Sequence, residues 1–317
     1  MGKDSSVSPE TPVLEVMQHP AFRRRGLLLF PWDEEGRYSA RMTLADVPSL
    51  MPWHTYVQVS EIVAGVDRLL RDSSAGKTVV YDFYSAEEIA ADPTKQRTAL
   101  FFLRGKPGAP WVLIAPGGGF AYVATLHEGL PVGMELNRLG YNAFVLKYRV
   151  GRGEHVAAED LVAAVRFISA QSRVLEVDAR CYALWGFSAG ARMVLRAAYD
   201  ERFRSRLPRS PAMTVVAYTG GGAPGFSPDS PPAFLLAGTR DGIAPSDRMA
   251  ALARRMEASG MRVRLDVVEG APHGFGKGTD SPAEGWIARA VSFWESARHS
   301  CGAQHRTTEA EDSWGGN

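Results

Sequence analysis

The sequence predicts an α/β protein: a mostly parallel central sheet with helices on both faces, plus an N-terminal extension. Three observations predict it. From residue 76 to 299, β-branched and aromatic runs of strand length alternate with helix-length amphipathic segments, as βαβ units do. The 317 residues are 45% apolar and 22% charged, enough to bury a substantial core. The turns richest in glycine and polar residues fall at the carboxyl ends of predicted strands, where ligands of such sheets gather.

The elements follow in order. "TALFFLR" and "PWVLIAP" read as strands joined by the turn-rich "GKPGA". "HEGLPVGMELNRLG" reads as a helix stopped by Gly140, ahead of the strand "NAFVLKYRV". "AAEDLVAAVRFISAQ" has helical apolar spacing, "CYALWG" is a continuous apolar strand, and "AGARMVLRAAYDERF" continues as one helix. "AMTVVAY", "AFLLAG" and "RVRLDVV" are strands, with the helix "SDRMAALARRMEASG" between the last two. The amphipathic "AEGWIARAVSFWESA" closes the pattern. Residues 1–75 are mixed: "RRRGLLLFPWDEEGRY" and "VPSLMPWHTY" give short apolar pieces broken by proline and charge. Residues 300–317 are polar and rich in small residues, the composition of a disordered tail.

Composition removes several classes of function. A net charge of +1 offers no footprint for nucleic acid or an anionic membrane. Cys181 and Cys301 are far apart and lack metal-ligand spacing, so neither a disulfide framework nor a zinc site is expected. Cys181 opens an apolar run and is expected to pack as a small buried hydrophobe. The start "MGKDSSVSPE" has no apolar h-region. It fits the loose myristoylation pattern through Gly2 and Ser6, but no basic cluster accompanies it, and chance explains the match. No apolar run approaches the length of a membrane span. A soluble, cytoplasmic protein is the expectation.

"LWGFSAGARM" places Ser188 between Gly186 and Gly190 after an apolar strand and before a helix. G-x-S-x-G is expected where a strand turns abruptly into a helix and lifts a serine hydroxyl to the tip. The plain alternative is a helix N-cap. Three further features decide between them. "APGGGF" puts Gly117, Gly118 and Gly119 at a strand's carboxyl end, where the N–H of Gly118 or Gly119 could join that of Ala189 around an oxyanion. "LLAGTRDGIAPSD" sets Asp241 just past a strand, while Asp247 falls where a helix N-terminus favours an acid. "EGAPHGFG" holds His273 in a glycine-flanked loop after a strand. His299 and His305 lie in the terminal helix and tail. His127 and His155 open helices as capping or surface residues. His19 and His54 sit in the irregular N-terminal region, where packing or a place at the mouth are both open. Ser188, Asp241 and His273 therefore emerge in that order, each at a predicted strand end, as nucleophile, acid and base.

On "PGGGF", "LHEGLPVGMELNRLGYNAFVLKYRV", "LWGFSAGARM", "PPAFLLAGTRDGIAP" and "PHGFG", the chain resembles the α/β-hydrolase superfamily, and more closely its bacterial acetyl-esterase or acetyl-xylan-esterase-like members. The likeness runs from about residue 76 to 299. It implies a catalytic triad of Ser188, Asp241 and His273, an oxyanion hole of Gly118, Gly119 and Ala189, and an ester hydrolase needing no metal and no cofactor. Two positions depart from the family pattern. Ala191-Arg192 stands where many relatives continue S-A-G-G, and a bulkier helix start is expected to alter the packing of the glycine loop. Arg240-Asp241 stands where the acid motif commonly reads D-D.

The expected function is serine hydrolysis of a short-acyl, acetyl-like carboxylic ester, a small-molecule substrate. An amidase or peptidase, a thioester or lactone hydrolase of specialised metabolism, and a ligand-binding pseudoenzyme are the alternatives. Phe120, Tyr122, Tyr218, Phe275 and Trp286 are the aromatic candidates for substrate contact, with packing as their competing explanation. The N-terminal 75 residues are expected to act as a lid, a rim or a homo-oligomer contact, since their apolar pieces must bury against something.

Overall fold

The strands of a computed structural model, which describes residues 6–222 and 225–297, form one eight-stranded sheet. They are β1 (Val80–Tyr81), β2 (Ala99–Leu103), β3 (Trp111–Ala115), β4 (Asn142–Lys147), β5 (Tyr182–Phe187), β6 (Met213–Ala217), β7 (Ala233–Gly238) and β8 (Val263–Val268). Their spatial order is β1-β2-β4-β3-β5-β6-β7-β8. β3 to β8 are mutually parallel, while β2 runs antiparallel to both β1 and β4. The strands on either side of "GKPGA" are thus not neighbours, because β4 lies between them. Strands β1 and β8 are the edges of the sheet. Strand β8 has no fully buried residue and carries Arg264 and Asp266 as an ion pair, which blunts further strand pairing.

The helices are α1 (Val13–Gln18), α2 (Val59–Ser74), α3 (Ala86–Ala91), α4 (Leu130–Arg138), α5 (Gly153–Ala170), α6 (Ser172–Leu175), α7 (Ala189–Tyr199), α8 (Glu201–Arg204), α9 (Ser246–Ala258) and α10 (Trp286–Ala297). Period-two alternation along the buried strands divides the core in two. In β3, Val112 and Ile114 join one apolar cluster, while Trp111, Leu113 and Ala115 join the other. The first cluster takes the inner faces of α2, α4 and α10; the second takes those of α5, α7 and α9. No helix among the described residues is long and apolar enough to cross a membrane.

Three local expectations change. The helix expected from Ala189 to Phe203 breaks at Asp200, whose carboxylate accepts the Arg202 N–H and pairs with Arg196 and Arg202. Asp200 recaps the chain as α8 because an Asp side chain competes for helix amides. The helix expected from His127 begins instead as a π-turn, Thr125–Gly129, before α4. His127 is buried there, not capping or on the surface. The tail from residue 300, Gly2, Cys301, His299 and His305 lie outside the described residues.

The extension holds the largest difference. It contains the 16-residue α2, whose Ile62, Val66, Leu69 and Leu70 recur at helical spacing on one buried face. Gly65 is small because Leu130 of α4 comes within 2.9 Å of where its Cβ would stand. Upstream of α2, Val13, Val16, Phe22, Leu29, Phe30, Leu44 and Val47 are at most 2% exposed, in the same cluster as the sheet's β3 and β4. The extension is therefore built into the body's core. Burying such side chains stabilises by about 1.5–3 kcal/mol each, so together they are comparable to the roughly 5–15 kcal/mol net stability of a typical domain. Phe22→Ala should cost about 3–5 kcal/mol in a denaturant titration. A chain starting at residue 61 should show no cooperative unfolding transition.

Candidate active site

The carboxyl ends of β3, β5, β7 and β8 converge on one cleft. Strand β5 ends at Phe187 and α7 starts at Ala189, leaving Ser188 alone at the turn with φ 49° and ψ −114°. A non-glycine residue held at positive φ is strained and needs support from its surroundings. The Ser188 N–H donates to Ala217 O on β6 at 3.0 Å, which fixes it. The flanking glycines have steric causes. A Cβ at Gly186 would come within 2.5 Å of Gly190 O, and one at Gly190 would strike Ala115 O at the end of β3.

Ser188 Oγ lies 3.0 Å from Nε2 of His273, whose Nδ1 lies 2.8 Å from Oδ2 of Asp241. The other Asp241 oxygen accepts the N–H groups of Ile243 and Ala244 at 2.8 and 2.7 Å. With Oδ1 so occupied, Oδ2 is left to take the Nδ1 proton, which directs Nε2 at the serine as an acceptor. Asp241 and His273 are 5% and 6% exposed, so this line of hydrogen bonds is largely sheltered from water. Asp247 stands apart in the first turn of α9, exposed, and accepts the Arg248 N–H.

The cleft has a volume of about 500 Å³. Its walls include Gly119, Ala189, Phe120 and Tyr218. The N–H groups of Gly118, Gly119 and Ala189 donate to no described residue, and those of Gly119 and Ala189, on the cleft wall, are open to a ligand. Gly118 (φ 125°) is buried behind the cleft wall, where a Cβ would strike Tyr122 O, and Gly119 (φ 61°) is at the surface beside Trp53. Of the five aromatic candidates, the structure brings Phe120 and Tyr218 to the cleft and withholds three. Tyr122, Phe275 and Trp286 are fully buried off the cleft wall, whereas Tyr218, equally buried, borders the cleft. Trp286 packs on Trp185 and Phe187, Phe275 on Tyr218, and Tyr122 between Trp32 and Trp53. Packing accounts for all three.

Below the glycine loop lies a residue that the sequence reading passed over. Glu128, at 0% exposure, accepts the Gly117 N–H on Oε2 and the Tyr218 hydroxyl on Oε1 at 2.7 Å. Nε2 of His54 is 3.2 Å from Oε1, angled outside a hydrogen bond's range, so charge and dipole hold that pair. Burial pushes the Glu128 carboxyl up, but His54, His127 and the Gly117 amide together bring it down to about 2. It is a buried carboxylate that stays ionised. His54 continues to the Tyr122 hydroxyl at 2.9 Å, and His127 Nε2 to Gly274 O at 2.9 Å. Thr55 holds the histidine loop by donating its hydroxyl to His273 O and its N–H to Gly274 O. The only available signal was "HEG" beside an apolar helix, which reads equally as a polar helix start.

Arg192 is the departure after the elbow. It pairs with Glu154 and lies 5.6 Å from the Phe120 ring centre, on the cleft wall.

Removing the buried carboxylate should be severe. Glu128→Ala strands three polar groups in the core and should lower stability by about 3–5 kcal/mol in denaturant titration. His127 governs the response to acid. Burial, with the charge of His54, lowers its pKa from 6.5 to about 4. Between those values the unfolded chain holds the extra proton, so stability rises with pH and is lost on acidification. Unfolding free energy should fall by about 1–3 kcal/mol from pH 6.5 to 4.5, and His127→Gln should flatten that slope.

The model of the BD-FAE family matches residues 104–211, which hold the glycine loop and Ser188 and stop short of Asp241 and His273. The acetylxylan esterase of Xylanibacter ruminicola is 28% identical over 93 residues, 29% of this chain and 19% of that protein. Endo-1,4-beta-xylanase B of Butyrivibrio fibrisolvens is 36% identical over 85 residues, 25% of this chain and 13% of that protein. These matches thus span less than a fifth of either relative's length. Among solved structures, the acetyl ester-xyloside bifunctional hydrolase of Caldicellulosiruptor lactoaceticus aligns with TM-score 0.59 at 22% identity, covering 68% of this chain and 95% of that one. A thermophilic esterase of Thermogutta terrifontis aligns at 0.58 and 19% identity, covering 68% and 93%. With its eight-stranded sheet and the strand-end positions of Ser188, Asp241 and His273, the chain has the α/β-hydrolase fold; its residues 104–211 match the BD-FAE family, and a 93-residue stretch resembles the Xylanibacter ruminicola acetylxylan esterase.

Proposed function

We propose that the protein is a serine hydrolase that cleaves a short-acyl carboxylic ester through an acyl-enzyme on Ser188. The observation that carries this reading is the unbroken line Ser188 Oγ, His273 Nε2, His273 Nδ1, Asp241 Oδ2 at the mouth of the cleft. A serine hydroxyl becomes nucleophilic when a base removes its proton as it attacks. His273 is that base, and Asp241 stabilises the resulting imidazolium and holds its tautomer. Attack places a negative charge on the carbonyl oxygen, and the N–H groups of Gly119 and Ala189, unengaged and on the cleft wall, donate to it. His273 then gives the proton to the departing alkoxide, and the alcohol leaves. Water, deprotonated by the same imidazole, attacks the acyl-enzyme, releases the acid and restores Ser188. The named activities of the acetylxylan esterase and of the acetyl ester-xyloside hydrolase point to a short acyl group.

Ser188→Ala should lower turnover of phenyl acetate a thousandfold or more and abolish labelling by a fluorophosphonate, with unfolding unchanged. Residual turnover above a tenth of wild type would remove Ser188 from the nucleophile's role. Asp241→Asn should be nearly as damaging, since it releases the tautomer of His273. Asp247→Asn should cost only a helix N-terminal interaction of about 0.3–1 kcal/mol and leave turnover within a few-fold. The reverse ranking would make Asp247 the acid. Phenyl acetate should be cleaved far faster than acetanilide.

A further inference from the structure

We propose that the cleft selects esters carrying a second, negatively charged group, a carboxylate in the first instance, held by Arg248 and Arg192 across from Ser188. This rests on the serine-hydrolase reading above and adds to it the substrate's charge. The chain as a whole is nearly neutral, with 36 Lys and Arg against 35 Asp and Glu. The cleft is not. Among its described lining residues Arg192 and Arg248 are the fully charged side chains, and no carboxylate lines it. Two cations in a concave wall raise the local concentration of an anionic ligand well beyond what net charge implies.

Each arginine is placed by different contacts. Arg192 sits one helical turn past the nucleophile, on the first turn of α7. Glu154 pairs with one side of its guanidinium and Phe120 flanks it, which orients a planar fork toward the cleft. Glu154 also pairs with Arg196, so its charge is shared between two guanidinium groups. Arg248 is on the first turn of α9, and its side chain makes no hydrogen bond or ion pair with any described residue. The nearby Asp247 is exposed and its Oδ1 accepts the backbone N–H of Arg248. Asp241 is likewise engaged, by His273 and two amides.

Between the two arginines runs Thr219-Gly220-Gly221-Gly222, which follows β6 and forms the cleft's far wall. A Cβ on Gly220 would stand 3.1 Å from Arg248 Nη1, and one on Gly221 would stand 2.7 Å from Arg192 Cγ. A Cβ on Gly222 would stand 3.3 Å from Nη1 of Arg255, on the same helix α9. The absence of side chains on this run thus lets both guanidinium groups lie against the wall and face the space above Ser188. Arginine's forked donors suit a carboxylate, and charge-assisted hydrogen bonds of this kind are stronger than neutral ones.

The test compares matched pairs that differ in charge. On the leaving-group side, 4-acetoxybenzoate is set against its methyl ester; on the acyl side, phenyl hydrogen adipate against phenyl hexanoate. The charged member of at least one pair should have the higher kcat/KM, by about tenfold. Arg248→Gln should lower that charged-to-neutral ratio by about tenfold, Arg248→Lys should restore part of it, and 1 M NaCl should compress it. A wild-type ratio at or below one in both pairs, or a ratio unmoved by Arg248→Gln, overturns the proposal while Ser188-dependent cleavage of the neutral esters leaves the hydrolase reading standing. If no ester is cleaved, the hydrolase reading fails, and calorimetric binding of adipate and 4-hydroxybenzoate decides the anion site separately. Binding to wild type that Arg248→Gln removes supports it; no binding at millimolar ligand overturns it.

Discussion

The buried carboxylate of Glu128 is the point on which the rest of the structure hangs. It accepts the Gly117 N–H from the loop after β3, takes the Tyr218 hydroxyl from the end of β6, and faces His54 from the extension. Burying an ion is costly unless its lone pairs are filled; here the glycine loop and Tyr218 fill them with hydrogen bonds while His54 of the extension stands 3.2 Å away. The arrangement is stable only when all three are present together. One charge thereby ties the glycine loop, the ring that packs on His273 and the extension into a single unit.

That unit explains why the strained parts of the cleft can persist. Ser188, Phe120 and Tyr218 all hold positive φ without being glycine. Such conformations survive where surrounding contacts over-determine them. Ser188 is fixed by Ala217 O and by the close passage of β3 behind Gly190; Tyr218 is fixed by Leu236 O and by Glu128. The sheet supplies this rigidity because its parallel strands end together, and the turns leaving those ends have little room to move.

The extension takes its meaning from the same network. Its apolar pieces share a core with α4 and the sheet, and its last loop reaches over the top. There, Trp53 packs beside Gly119 and Thr55 ties down the backbone of the histidine loop. Part of the cleft's scaffold therefore comes from a region with no strand-helix alternation. Its contribution to the site runs through positioning of the His273 loop and the glycine loop.

By itself the sequence determined the alternation of strands and helices, the elbow at Ser188 and the order Ser188, Asp241, His273. These are legible because each depends on neighbours within a few residues: period-two and period-3.6 burial, glycines where a Cβ cannot fit, an acid and a histidine just past strand ends. Tertiary structure alone decided the rest. "HEG" reads as a helix start, and only the crossing of three distant segments turns Glu128 into a buried ion. α2 was present in the spacing of Ile62, Val66, Leu69 and Leu70, yet Gly65 and the broken pieces before it masked the pattern until α4 supplied the partner surface. Tyr122, Phe275 and Trp286 differ from Phe120 and Tyr218 in standing off the cleft wall, which is set by what packs around a side chain and not by its type. Arg192 and Arg248 are 56 positions apart and come together because α7 and α9 both start at the carboxyl edge of one parallel sheet, so their first turns open onto the same cleft.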